Sequence, residues 1–190
     1  MPIGAADPDR MTPEQRAVHD RIAAGPRGGV PRPFLAMLDS PGLAHAIQGI
    51  GAALRFSGAL ADDLREIAIL AAAGAFGSGY EWGYHEPIAR RAGVSEAAIA
   101  AARAGDVSSL GGGDIAAAII TVCHRAVRNR RVPREALALI STRLGRAAAT
   151  EVVAIAGYYP MLALFLDAAN LDHPIPAAGD GRGASPVQDD

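Results

Sequence analysis

Cysteine is almost absent from this chain. Cys123 stands alone in 190 residues, so no intramolecular disulfide can form, which suits a reducing compartment. Aromatic residues are scarce as well, four Phe, four Tyr and one Trp, so the place where they gather is informative. Neither sign of charge dominates: the formal net charge is −2 and the pI is near 6.2. With the arginines spread along the chain, this balance gives no electrostatic reason to expect nucleic acid. Arg128-Asn129-Arg130-Arg131 is the one basic knot, and it reads as a solvated helix end where cations meet the macrodipole. No run of alternating β-branched residues is bounded by hairpin turns, which argues against a sheet, and no fixed-period repeat is present. The apolar runs read as too short or too charged to cross a bilayer, and the opening MPIGAADPDR lacks the basic and apolar regions of a signal peptide. The expectation is a cytoplasmic protein with no membrane partner.

What is present is an apolar half of the composition, enough at this length for one core. Proline and glycine punctuate it into helical segments. Thr12-Pro13-Glu14-Gln15 predicts a helix start, with Thr12 as N-cap and Gln15 closing a capping box; that helix ends by Gly25. Pro26 to Pro33 reads as a loop and Phe34 to Leu38 as a helical turn. Ser40-Pro41 opens a helix carrying Leu43, Ile47, Ile50 and Leu54, stopped by Phe56-Ser57-Gly58. Asp62 or a neighbour caps the next helix, which bears Glu66 and buries Leu64, Ile67 and Leu70. Gly74, Gly77 and Gly79 break it, and a second helix follows with Pro87 inside, where a kink or boundary is expected. Ser95 caps another. Gly111 to Gly113 and Asp114 precede a long helix over 115–129, Pro133 starts one ending near Gly145, and a strongly apolar helix runs from Ala147 to about Asn170. The prediction is a single all-α domain over 1–174, a bundle of about seven to nine helices, with 175–190 as a disordered tail too poor in apolar residues to order itself.

The chemistry concentrates between Leu64 and Gly93. If Ser78 to Arg91 is one helix at about 100° per residue, Ser78, Glu81 and His85 project within an arc of roughly 60°. A hydroxyl, a carboxylate and an imidazole then share a face, and no cationic partner lies near them in sequence. Tyr80, Trp82 and Tyr84 gather around them as an aromatic wall for a small-molecule pocket. Glu81, one turn from His85, is expected to hydrogen-bond the imidazole, fix its tautomer and raise its pKa. Ser78 lacks a nucleophile elbow and reads as a helix cap or a substrate contact. Cys123, on an apolar helix, reads as a buried small hydrophobe.

Glu66, then Ser78-Gly79-Tyr80-Glu81-Trp82-Gly83-Tyr84-His85, then Ala92-Gly93-Val94-Ser95, resembles the carboxymuconolactone decarboxylase and alkylhydroperoxidase D superfamily in its decarboxylase-like branch. In the peroxidase branch the motif is a Glu, an eleven-residue gap and Cys-x-x-Cys-x-x-x-His; here Ser78 and Glu81 stand where its cysteines would be, with Glu66 and His85 in register. Arg130-Arg131-Val132-Pro133 and Gly157-Tyr158-Tyr159-Pro160-Met161 look like the later part of longer members, so the resemblance spans roughly 34–174. It implies an alkylhydroperoxidase D-like helical bundle, a homo-oligomer built on trimers, and cofactor-free acid and base chemistry on a small carboxylated lactone or related carbonyl compound. On that reading His85 is the acid and base, Glu81 its orienting partner and Glu66 a second carboxyl in a relay, while Ser78, Tyr80, Trp82 and Tyr84 contact substrate. The apolar Ile155 to Tyr159 and Met161 to Phe165 are expected to supply subunit contacts.

Three alternatives use the same residues. A metal site from Glu66, Glu81 and His85 lacks the second Glu-x-x-His of carboxylate-bridged bundles, so no metal is expected. A thiol peroxidase needs a thiolate and a resolving thiol, which this motif does not offer. A non-catalytic binding or scaffold protein would have no use for Glu66 and His85 in a purely structural bundle.

Overall fold

The structure, a computed structural model, describes residues 3–4, 7–111 and 114–173; the tail expected at 175–190, and Gly112 and Gly113, lie outside them. Among the described residues there are nine α-helices and no strand. The helices are α1 (Pro13–Ala23), α2 (Arg32–Ala36), α3 (Pro41–Phe56), α4 (Asp62–Phe76), α5 (Gly79–Arg91), α6 (Glu96–Ala104), α7 (Ile115–Asn129), α8 (Arg134–Leu144) and α9 (Arg146–Ala168), preceded by a 3₁₀ turn at Pro8–Arg10.

Local chemistry explains where these elements begin and end. Thr12 and Gln15 form the expected capping box at α1. The Ser78, Ser95 and Asp114 side chains accept from backbone N–H groups at the starts of α5, α6 and α7. Asp62 does not cap α4: Ala61 holds that position without a side-chain bond, and Asp62 pairs instead with Arg65 at 2.7 Å. Gly77 ends α4 at φ 94°, a left-handed conformation that costs glycine nothing. α5 continues through Pro87 as one element.

α4 is the axis of the molecule, packed against α5, α6, α7 and α9. Its residues from Glu66 to Ala73 are all buried, so it is apolar all round and carries one carboxylate into the interior. The small side chains Ala71, Ala72 and Ala73 and then Gly74 let α6 come close: a Cβ on Gly74 would lie 2.8 Å from the carbonyl oxygen of Ala102. Glu151 of α9 accepts from the N–H groups of Ala59 and Leu60, at 2.6 and 3.0 Å, and so ties the α3–α4 connection down.

α9 corrects one expectation from the sequence. By length and composition Arg146–Ala168 is apolar enough to cross a membrane. Half of that apolar stretch is buried inside the fold, where Ile155, Tyr158, Tyr159, Leu162 and Leu166 face the core. Much of the apolar surplus assigned to subunit contacts is therefore this chain's own interior.

Candidate active site

α4 and α5 meet so that Glu66 points at the imidazole of His85. Glu66 Oε2 lies 2.7 Å from His85 Nδ1, with both side chains buried. A carboxylate can only accept, so Nδ1 donates and Nε2 is left bare. On that second side stands Glu81, Oε2 at 3.9 Å from Nε2. The expected pairing is thus exchanged: Glu66 orients the imidazole and Glu81 faces its free nitrogen. The helical spacing was sound, but a residue 19 positions away reaches the ring more directly. The two carboxyls approach opposite nitrogens of one ring, which is the geometry of a proton relay; chelation needs donors converging on one point. Among the described residues no three His, Cys, Asp or Glu side chains are grouped to hold a metal ion.

Burial sets the protonation states. It lowers the His85 pKa from its usual 6.5, against the opposing pull of Glu66, so the imidazole is neutral at pH 7 where a raised value was expected. Burial also pushes Glu81 up to about 8, with a further rise from the Asp172 carboxylate and an opposing effect from Arg55. Asp172 accepts from Ser78 Oγ at 2.8 Å and from the Tyr80 N–H at 2.9 Å, and so occupies the anion position at the N-terminus of α5. Glu81, in the same first turn, would be a second negative charge there if ionised, and buried beside Asp172 it stays protonated. Its Oε1 is buried with no hydrogen-bond partner, an orphaned polar atom whose cost a ligand would relieve.

These groups open into a cleft of about 320 Å³, counting its mouth. Tyr80, Glu81, Tyr84 and His85 come from α5, Tyr158, Tyr159 and Leu162 from α9, Gly51 and Arg55 from α3, and Arg27, Pro31, Pro33 and Phe34 from the segment before it. The space left to the centre of a water molecule is about 20 Å³, room for a single water. Tyr84 and Tyr159 pack on the His85 ring, each with centroids 5.2 Å away, and hold it in place. Burial pushes the Tyr80 phenol up to about 12 and those of Tyr158 and Tyr159 higher, so all three remain neutral donors.

Tyr80 and Tyr84 stand in the wall, but Trp82 and Ser78 do not line this cleft. They border a separate recess beside Gly74 and Arg103. The Trp82 indole donates to Glu86 at 2.8 Å and is covered by the Arg103 guanidinium, and Ser78 acts as the α5 cap. Side chains at i and i+2 of a helix cannot share a face, so Trp82 turns away from Tyr80 and Tyr84. Sequence reasoning missed Arg27, Arg55, Tyr158, Tyr159 and Asp172. Tyr158-Tyr159 carried a signal, being half of the chain's tyrosines; the arginines and Asp172 carried none, because only packing brings them to α5.

Residues 41–122 match the model of the Carboxymuconolactone decarboxylase family, a narrower span than the 34–174 suggested by the motifs. No curated protein matches the chain. Among solved structures, two crystal structures of the debrominase Bmp8 are similar, one without ligand and one of a cysteine-to-alanine variant in complex with 2,3,4-tribromopyrrole. Each aligns at a TM-score of 0.69 and 20% identity, covering 93% of this chain and 92% of the other. The shared fold extends over nearly the whole chain, and Glu66, Glu81 and His85 all lie within residues 41–122, the segment that matches the carboxymuconolactone decarboxylase family model.

Proposed function

We propose that this protein is an enzyme that moves protons on a small conjugated carbonyl compound, decarboxylation of a carboxylated lactone being the reaction to test first. The observation that carries the reading is the buried line Glu66, His85, Glu81, with a neutral base and a protonated acid facing one cleft at neutral pH. A protonated carboxyl is not the state of a free Glu at pH 7, and burial keeps His85 a neutral base, so the two pKa values are pushed in opposite directions that suit general acid–base work. In a decarboxylation the carbon–carboxylate bond breaks, carbon dioxide leaves, and the electron pair passes into the conjugated carbonyl. Glu81 then delivers a proton to the distal carbon, and His85, its tautomer held by Glu66, accepts and returns protons between substrate and Glu81. Tyr80 and Tyr159 wall the cleft, and no resident cofactor is needed for the electron balance. The same residues serve an isomerisation, with a proton removed at one carbon and returned at another.

Two covalent routes do not fit these residues. All 18 basic residues are arginine, so no lysine is available to form a Schiff base. A route through a thiolate has no suitable thiol here: Cys123 is buried elsewhere on α7 and burial pushes it to about 12. The small free space in the cleft favours one second reading, a non-catalytic ligand-binding member of the family. On that reading the His85 titration, followed by NMR, would not move on adding substrate.

The test is to mix wild type and His85→Ala with γ-carboxymuconolactone and to follow ultraviolet absorbance and released carbon dioxide. Wild type is expected to consume it, with the variant slower by about 10² to 10⁴. Equal rates for the two proteins would remove His85 from the chemistry, and no turnover by wild type would sink the decarboxylase assignment.

A further inference from the structure

Arg27 and Arg55 both line the cleft, and both lie against the Phe56 ring, their guanidinium carbons 5.5 and 5.2 Å from its centroid. Arg27 is also stacked on Phe34 at 5.0 Å and hydrogen-bonded to Gln48, and Arg55 is stacked on Tyr84 at 5.5 Å. Among the described residues neither forms an ion pair with a carboxylate. Two like charges share one half-buried, aromatic-lined space with no carboxylate in contact, Glu66 acting on Arg55 only from a distance, and the carboxyl that lines the same cleft, Glu81, is protonated. The arrangement leaves the Arg27 cation desolvated and repelled by Arg55, a cost that an anion between them would relieve.

We infer that Arg27 and Arg55 form a carboxylate-binding subsite at the mouth of the cleft, which selects anionic substrates and holds them with the reacting carbon toward His85 and Glu81. The guanidinium fork matches a carboxylate in two parallel hydrogen bonds, and the aromatic faces keep both forks in place before the ligand arrives. One consequence concerns the reaction. A carboxylate paired with arginine is stabilised in the ground state, whereas loss of carbon dioxide requires a carboxylate stripped of such partners. The carboxylate held by Arg27 and Arg55 is therefore a handle that remains in the product, and a substrate that is decarboxylated here carries a second one. This inference rests on the acid–base reading only for the direction in which the substrate points; the binding itself is independent of it.

The experiment is calorimetric titration of the full chain with benzoate, and with benzamide as a neutral probe of the same shape. Wild type is expected to prefer benzoate by about 10- to 100-fold, the range of charge-assisted hydrogen bonds, and to lose that preference as salt is raised. Arg55→Gln and Arg27→Gln are expected to abolish the preference, Arg55→Lys to keep part of it, and His85→Gln to leave it intact. That last variant separates the two readings, since a failed acid–base assignment leaves the benzoate preference standing. Equal binding of the two probes by wild type, no benzoate binding at millimolar concentration, or an unchanged preference in both glutamine variants would overturn the subsite.

Discussion

At the scale of the residue, the proposed function turns on two protonation states that burial sets. His85 is held neutral and Glu81 is held protonated, so the competent form exists only between their pKa values. The rate is expected to rise with pH through the lowered value of His85, stay level, and fall through about 8 as Glu81 ionises. A pH profile of kcat/KM checks this, and Glu81→Gln, which has no proton to deliver, should lower the rate by about 10² to 10⁴ and leave no alkaline limb in the activity that remains. Asp172 supplies a finer test. Its charge adds to the burial that keeps Glu81 protonated, so Asp172→Asn is expected to move the alkaline limb to lower pH while wild-type-like folding persists, because an amide oxygen still accepts from Ser78 and Tyr80. An alkaline limb that stays in place would show that burial alone sets the state of Glu81.

At the scale of the element, the cleft depends on how closely α3 and α9 approach. Gly51 permits it: a Cβ there would lie 2.2 Å from the Tyr158 hydroxyl and 2.9 Å from its Cζ. That hydroxyl donates to the Ile47 carbonyl at 3.0 Å, so the ring cannot simply swing aside. Gly51→Ala is expected to cost about 1–3 kcal/mol by overpacking and to lower activity by displacing the wall of the cleft. Adding Tyr158→Phe removes the closest clash, so the double variant should lose less stability than the two single changes predict together, which chemical denaturation in a double-mutant cycle measures. The α5 N-terminus shows the same interdependence, since its cap Ser78 is itself held by Asp172 from beyond the end of α9.

At the scale of the whole molecule, the remaining apolar surface bears on assembly. On α3 Leu43 and Ile50 are 45% and 49% exposed, seven positions apart on one face, and on α9 Leu164 is 57% exposed. A homo-oligomer would cover them, and size-exclusion chromatography with light scattering is expected to give a multiple of 19.5 kDa, reduced by Ile50→Asp. A monomer at micromolar concentration would end that expectation.

Read alone, the sequence determined the helical class and most helix boundaries, because capping residues, breakers and apolar spacing act over a few positions and need no knowledge of the rest of the chain, and it singled out Glu66, Glu81 and His85 as candidates, Glu66 through the family motif. It also pointed to Tyr80 and Tyr84 as wall groups, together with Trp82. Tertiary structure decided the rest: which carboxyl meets which imidazole nitrogen, that Trp82 and Ser78 turn away, and that Arg27, Arg55, Tyr158, Tyr159 and Asp172 gather around α5. It also decided both shifted pKa values, since desolvation comes from the surrounding packing and has no counterpart in local sequence. Contacts across 90 or more positions, such as Asp172 with Ser78, come from the packing of α9 against α4 and leave no mark on either segment taken by itself.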